Sequence, residues 1–453
     1  MSAALKPYPE YRDSGVDWLG PVPAHWIVNR AKAQFREVDE RSVHGDEELL
    51  SVSHKTGVTP RRLKNITMFQ AESYAGYKLA RPGDLVVNTM WAWMAALGVS
   101  QHEGIVSNAY GVYRPREGVR MDGRYYDRLL RTETYRAEYV RRSTGITTSR
   151  LRLYPPKLLA MPLLQPPPDE QRRIADFLDA YTAQVHRLVG AKRRINKLIA
   201  ERREAVTREL VFRGLDEDAV LVDSGADWAG RTPQTWNKVH LGSAAEIVPG
   251  HPFDARLFGS DDGAPLIRIR DLLRGRTFLR VGGPIPHEAW VEDGDLLVGM
   301  DGDFNSVVWT GGRAALNQRL CCVRPTARLR TPYLALILPF ALKYLNDLTF
   351  STTVKHLSTF DLRRLRFPGP APEEQRAIVV AVEERTKDLN VALRRVEAEI
   401  DLILEYRDSL VAAVVTGKVD ARGAEVAAVE GAMLIDEAAD DPEELEDALD
   451  AVD

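Results

Sequence analysis

Two stretches of the chain set apolar residues at alternating steps of four and three, with almost no glycine or proline inside them. In the first, Ile174, Leu178, Tyr181, Val185, Leu188, Ile195, Ile199 and Val206 follow one series, interrupted by Lys192 and Arg202. In the second, Val379, Val382, Leu389, Leu393, Val396, Ile400, Ile403, Leu410 and Val414 do the same, interrupted by Thr386 and Arg407. This is the seam of a coiled coil. Each stretch opens after prolines with acids in its first turn and closes at a glycine, Gly214 or Gly417, which predicts long helices over 168–214 and 372–417. Each would be a rod of roughly 65 Å at the usual helical rise. A rod with one apolar stripe needs a partner, and the same chain holds the other rod at high effective concentration, so an intramolecular pair is expected.

The segments before each rod have a mixed pattern. LVVNTMWAWM (85–94), GVYRP (111–115), PLIRIRDL (265–272) and LLVGM (296–300) read as strands, whereas YYDRLLRTETYRAEYV (125–140) and TPYLALILPFALKYLNDL (331–348) read as helices. Each late helix leads into a Thr-rich basic stretch, TGITTSRLRL (144–153) or STTVKHLSTF (351–360). Mixed α/β domains of one plan are therefore predicted over 28–167 and 237–371, with little sequence in common outside that closing region.

Repetition explains the shared plan. DSGVDWLGPVPAHW at 13–26 and DSGADWAGRTPQTW at 223–236 agree at eight of fourteen positions, and PPPDEQRRI at 166–174 recurs as PAPEEQRAI at 370–378. The offsets of 210 and 204 nearly agree, so the chain is two tandem halves. The expected divisions are a docking segment 1–27, a domain 28–167, a rod 168–214, a second docking segment 215–236, a domain 237–371, a rod 372–417 and a tail 418–453. Pairing tandem halves about a pseudo-twofold axis makes the rods antiparallel.

Charge changes the picture at one end. The net charge of -4 conceals residues 424–453, which carry twelve acids and no Lys or Arg; the rest has 61 basic against 53 acidic residues. A disordered acidic tail and a basic body are expected. The domains have a basic excess of their own, 22 against 14 in 28–167 and 17 against 13 in 237–371, as suits a polyanion. Two basic readers held apart by a rigid spacer suit two half-sites separated by untouched bases. The adjacent Cys321 and Cys322 rule out a disulfide framework and CxxC metal sites. The longest apolar run, YLALILPFAL (333–342), is too short for a bilayer, and MSAALKPYPEYRDSG has no signal core, so a soluble cytoplasmic protein is expected.

Catalytic motifs are missing. There is no GxxxxGK[ST] phosphate cradle, no GxGxxG after a strand, no Asn-Pro-Pro-aromatic stretch for a flipped adenine and no HExxH. DEAAD (436–440) lies in the acidic tail without a P-loop. DGDFN (301–305) starts like a calcium loop, but Ser306 and Gly312 stand where glycine and glutamate are needed, so it reads as a strand-ending turn.

The twice-written Trp motif, the two proline-EQR helix entries and the variable domains between them resemble the specificity subunits of type I restriction-modification systems over nearly the whole chain. RPGDLVVNTMWAWMAALGVS (81–100) and IVSNAYGVYRP (105–115) are similar to one class of that family's target recognition domains. HPFDARLF (251–258), PLIRIRDL, GDLLVGMDGDFN (294–305) and ALNQRLC (315–321) are similar to another. The resemblance implies a non-catalytic reader of double-stranded DNA without a cofactor of its own. Its partners would be two methyltransferase subunits that bind S-adenosylmethionine, and motor-nuclease subunits that use ATP and Mg. Each recognition domain would read one part of a split asymmetric site, while the coiled coil sets the gap and docks the methyltransferases.

Trp18, Trp26, Trp228 and Trp236 then serve as structural docking residues. The candidates for DNA contact are Lys55, Arg61, Arg62, Lys64, Arg150 and Arg152 in the first domain, and Arg268, Arg270, Asn305, Gln318, Arg319, Lys355 and His356 in the second. Arg suits guanine, and Asn or Gln suits adenine. The competing readings are an autonomous methyltransferase or nuclease fusion, and a coiled-coil scaffold that binds no DNA.

Overall fold

The computed structural model describes residues 5–64, 73–145, 151–348 and 355–424. The chain falls into two compact units, Met1–Lys192 with Glu399–Asp453 (unit 1) and Arg193–Ala398 (unit 2). This differs from the expected divisions, because each rod is shared between units and does not stand apart from the domains. Among the described residues, the helices of eight residues or more are Gly123–Leu130 (α1), Glu133–Arg142 (α2), Pro168–Arg213 (α3), Thr331–Leu348 (α4) and Pro372–Val415 (α5). The expected single helix over 125–140 is two helices, since Thr132 adopts an extended backbone and turns its hydroxyl back onto the Leu129 carbonyl at 2.8 Å. No helix among the described residues is long and apolar enough to cross a membrane.

Unit 1 is built on Phe35–Val38 (β1), Leu85–Asn88 (β2), Leu97–Val99 (β3) and Tyr110–Pro115 (β4), an antiparallel sheet in the order β1-β4-β2-β3. Unit 2 has the same topology in Ala245–Pro249 (β5), Leu296–Gly299 (β6), Ser306–Val308 (β7) and Leu320–Pro325 (β8), ordered β5-β8-β6-β7. The expected strand 85–94 stops at Asn88, where the chain turns through Ala92–Met94 and a left-handed Ala95. In PLIRIRDL only Pro265–Ile267 extends, as part of the strand Ala264–Ile267; Ile269–Asp271 is a helical turn.

The apolar runs Leu85–Val87 of β2 and Leu296–Val298 of β6 follow from burial on both faces. Leu85 and Val87 pack with Tyr125, Tyr126 and Leu129 of α1, while Val86 faces Val38, Val52, Val58 and Val106. In unit 2, Leu296 and Val298 pack with Tyr333, Leu334 and Ile337 of α4, while Leu297 faces Ile267, Trp309 and Leu316. Each fully buried aliphatic side chain stabilises its unit by roughly 1.5–3 kcal/mol. Just before both strands stands a Gly-Asp corner tied to the neighbouring strand. Arg114 donates from Nε and Nη2 to Asp84, both at 2.9 Å, and Arg324 donates to Asp295 at 2.9 and 2.7 Å.

Within each unit the two long helices run antiparallel. In unit 1, Ile174 and Leu178 near the start of α3 share a core with Val414 and Val415 at the end of α5, and Lys192 Nζ meets Glu399 at 2.5 Å. In unit 2, Val206 and Leu210 pack in one core with Ile378 and Val382, and Asn196 and Arg203 donate to Glu397 and Asn390, both at 3.3 Å. The expected seam needs correction here: Leu188 and Ile195 are 46% and 49% exposed, while Val189 is buried. The facing series shifts by one residue and turns polar at Lys192 and Asn196, which sequence periodicity had counted as an interruption and an off-seam position. Residues 418–424, assigned to the tail by composition, are ordered. Asp420 N donates to the Lys6 carbonyl at 2.8 Å, and the Arg422 guanidinium lies 5.0 Å from the Tyr8 ring centroid. The remainder of the tail lies outside the described residues.

Candidate nucleic-acid interface

The repeated motifs meet in the same way in both units. Trp26 donates its indole N–H to Glu170 at 3.0 Å, and Trp236 donates to Glu374 at 3.1 Å. Each glutamate is therefore the E of a helix-entry EQ pair. The adjacent glutamine clamps backbone: Gln171 donates to Pro166 and accepts from Asp122 N, while Gln375 donates to Pro370 and accepts from Arg330 N, all at 2.8–2.9 Å. Gly417 and Gly214, with φ of +76 and +75, end the opposite helix against these tryptophans. A Cβ on Gly417 would sit 2.5 Å from Pro23 and 3.0 Å from Trp26. Trp18 packs edge-on to Tyr135 at 5.1 Å, and Trp228 lies 5.7 Å from Phe212. The four tryptophans thus join the repeated segment to a helix end and to the sheet domain inside each unit.

Beyond each anchored sheet, three segments converge at the exit of the central strand. In unit 1, Leu153 N donates to Thr89 O at 3.1 Å, and Thr89 Oγ1 donates to Ala109 O at 2.7 Å. In unit 2, Leu357 N donates to Met300 O at 2.7 Å, and Met300 N donates to Arg319 O at 3.0 Å. One backbone plan thus presents Thr89, Asn108 and Arg152 in one unit and Asp301, Gln318, Arg319 and His356 in the other.

The unit 1 candidates are not gathered in one place. Lys55 sits at the turn of the hairpin Leu50–Ser53/Gly57–Pro60, where its carbonyl accepts from Arg131, while Arg61 and Arg62 follow the hairpin's other end. Arg62 pairs with Glu48 at 3.0 Å. Arg61 acts on the Tyr110 hydroxyl, which burial pushes up against the opposing Arg61 charge. Tyr110 in turn accepts from Asn88 at 3.3 Å, and Arg41 donates to Asn108 at 3.2 Å. Arg152 is half-buried and bridged to Thr144, Lys64 closes the described segment, and Arg150 lies outside the described residues.

In unit 2 the candidates cluster more tightly. The turn at Asn317 is joined to Ile267 by a 3.1 Å hydrogen bond, which brings the Arg268–Asp271 turn beside Gln318 and Arg319. Arg268 donates to Asp271 at 3.2 Å within its own turn; Arg270, Asn305 and Gln318 are exposed. Lys355 donates to the Asn346 carbonyl at 3.1 Å. Asp301 takes Arg319 on one carboxylate oxygen and His356 on the other, the latter at 2.7 Å. Burial opposes its charge, but the hydrogen bonds from His356 and Arg319 hold its carboxyl below the usual range. DGDFN is thus a strand-ending turn whose first carboxylate is already engaged.

With this geometry fixed, likeness to known proteins can be placed on it. The family model described as the type I restriction modification DNA specificity domain matches residues 233–397. This part of the chain is similar to such a domain. The type I restriction enzyme EcoBI specificity subunit of Escherichia coli is 36% identical over 186 residues, a match covering 41% of this chain and 39% of that one. A structure described as the basis of complex assembly and conformational transition of the type I R-M system covers 87% of this chain and 98% of its own, with TM-score 0.52 and 18% identity. That likeness concerns the fold. An HsdS subunit structure from Thermoanaerobacter tengcongensis covers 89% of this chain and 98% of its own, with TM-score 0.38 and 18% identity. The resemblance to type I specificity subunits drawn from the motifs is borne out.

In unit 2 sequence reasoning missed Asp301, and in unit 1 it passed over Asn108. A signal was present: GDLVV at 83–87 recurs as GDLLV at 294–298, and YRP at 113–115 as VRP at 323–325. Aligning those short matches would have superposed the two turn systems and shown which residues share a position.

Proposed function

We propose that this chain is the DNA-recognition subunit of a type I restriction-modification complex, with each unit reading one half of a split asymmetric site. One observation carries the reading: the two units keep one backbone plan and one Trp–Glu anchor while the side chains at the strand exit differ completely. A scaffold that binds nothing needs no such variation on a constant frame. Asn108 has the donor-acceptor pair suited to adenine, and Arg319 has the fork suited to guanine. The basic excess of both domains supplies phosphate contact.

In this reading α3 and α5 form the coiled-coil spacer, relate the units by a pseudo-twofold axis and set the gap between half-sites. Leu188 and Tyr406 of unit 1 and Ile195 and Leu198 of unit 2 are exposed apolar residues on the rods, suited to docking two methyltransferase subunits. Those partners would bring S-adenosylmethionine, and the motor-nuclease subunits ATP and Mg. The chain itself would act in the cytoplasm without a catalytic group or cofactor. The test is to exchange residues 28–167 for another domain of the same plan and sequence the methylated DNA. One half of the motif should change while the other half and the gap persist; changes in both halves would reject independent readers.

A further inference from the structure

We propose that Asp301 is a positioning residue that presents Arg319 and His356 as a preset pair, with Arg319 reading a guanine in the half-site taken by unit 2. The inference rests on the DNA-recognition reading above and assigns the chemistry of one position within it.

The three groups come from separate segments, each fixed by backbone. Met300 N binds Arg319 O, Leu357 N binds Met300 O, and Gly302 N binds Lys355 O at 3.1 Å, so residues 301, 319 and 356 are held at one strand exit. The Asp301 side chain is only 11% exposed, whereas Arg319 and His356 are 60% and 65% exposed. A sheltered anion thus carries two outward-facing partners. Asp301 engages Nη1 of Arg319, and the Nε and Nη2 edge has no partner among the described residues. That edge offers two parallel N–H donors, which fit O6 and N7 of guanine in the major groove. The carboxylate fixes the guanidinium before DNA arrives, so less side-chain freedom is lost on binding.

His356 is ordered in the same way. An ionised carboxylate only accepts, so Nδ1 carries the hydrogen toward Asp301 and Nε2 is left facing outward. Other arginines nearby are committed differently: Arg268 hydrogen-bonds Asp271 within its own turn, and Arg256 pairs with Asp254 two residues away. Most decisively, unit 1 lacks the cluster. By the matching strand registers (Tyr110 opposite Asn88, Leu320 opposite Gly299) and the matching bonds from Leu153 N and Leu357 N, Met90, Ala109 and Arg152 stand where unit 2 has Asp301, Arg319 and His356. A group needed to hold the common fold would be repeated; this one is confined to one reader.

The experiment uses the full chain copurified with its methyltransferase partner and selects bound duplexes from a randomised DNA library. Wild type should enrich a bipartite motif. Arg319→Lys keeps the charge but loses the fork, and should flatten the preference for one G·C pair by about 10-fold or more, leaving the other half-site intact. Asp301→Asn should weaken preference at the same position, and His356→Ala at that position or its neighbour. Retention of every base preference by Arg319→Lys overturns the guanine assignment. Loss in Arg319→Lys without any change in Asp301→Asn overturns the positioning role. Failure of wild type to enrich any bipartite motif rejects the underlying reading, and the inference with it.

Discussion

The tryptophans of the repeated segment matter for their hydrogen bonds as much as for their area. Glu170 is buried and accepts from Tyr8, Trp26 and His25, at 2.8, 3.0 and 2.7 Å, whereas Glu374 takes the single indole of Trp236. Trp236→Phe keeps an aromatic ring but removes that donor, so urea unfolding of unit 2 should show a loss of about 1 kcal/mol. No loss would mean the indole N–H is immaterial. The Asp295–Arg324 pair makes a second residue-scale prediction. Burial raises the Asp295 pKa, but the hydrogen bonds from Arg324 and the Glu292 backbone, with the Arg324 charge, outweigh it and the carboxyl stays below its ordinary value. A lowered folded-state value contributes stability that is complete above the ordinary carboxylate range and is lost as pH falls through the folded value. Asp295→Asn should therefore cost roughly 1–2 kcal/mol near neutrality, discounted because the pair is partly exposed, and the difference from wild type should shrink below about pH 4. A difference independent of pH would contradict this account. At this scale the sequence exposed the tryptophans, because they are repeated, but concealed their partners. Glu170 and Glu374 sit in helix entries, where acids are expected for helix reasons alone.

Elements were more legible where one physical cause dominates. The proline entries and glycine stops marked α3 and α5 closely, because helix ends have strong local chemistry. Strand lengths were misjudged: in 85–94 only Asn88 and Thr89 interrupt the apolar run, and the extension already ends at Asn88, before the turn to the left-handed Ala95. The seam was displaced in the middle of α3 because apolar periodicity cannot register a polar interface such as Lys192 with Glu399. Exposed Leu188 and Ile195 yield a test: changing both to Ser should leave stability within about 0.5 kcal/mol but weaken copurification with the methyltransferase. Equal copurification would remove the docking role from this face. For the spacer, inserting one heptad into each rod, which preserves the facing series, should lengthen the gap in the methylated motif. An unchanged gap would remove the ruler role.

For the whole molecule, two tandem halves were readable from fourteen-residue and nine-residue repeats. The contact boundary through both rods was not, because the sequence shows where a helix begins and ends but not which core each of its turns joins. The central claim is that the chain supplies sequence specificity to an adenine-methylating partner. It is tested most directly by single-molecule methylation sequencing of DNA from cells expressing the chain with the neighbouring methyltransferase, against cells lacking the chain. The account predicts a split motif, methylated on opposite strands in its two parts, present only with the chain. Methylation of the same sites without the chain, or no motif although the assembled complex is present, would contradict it.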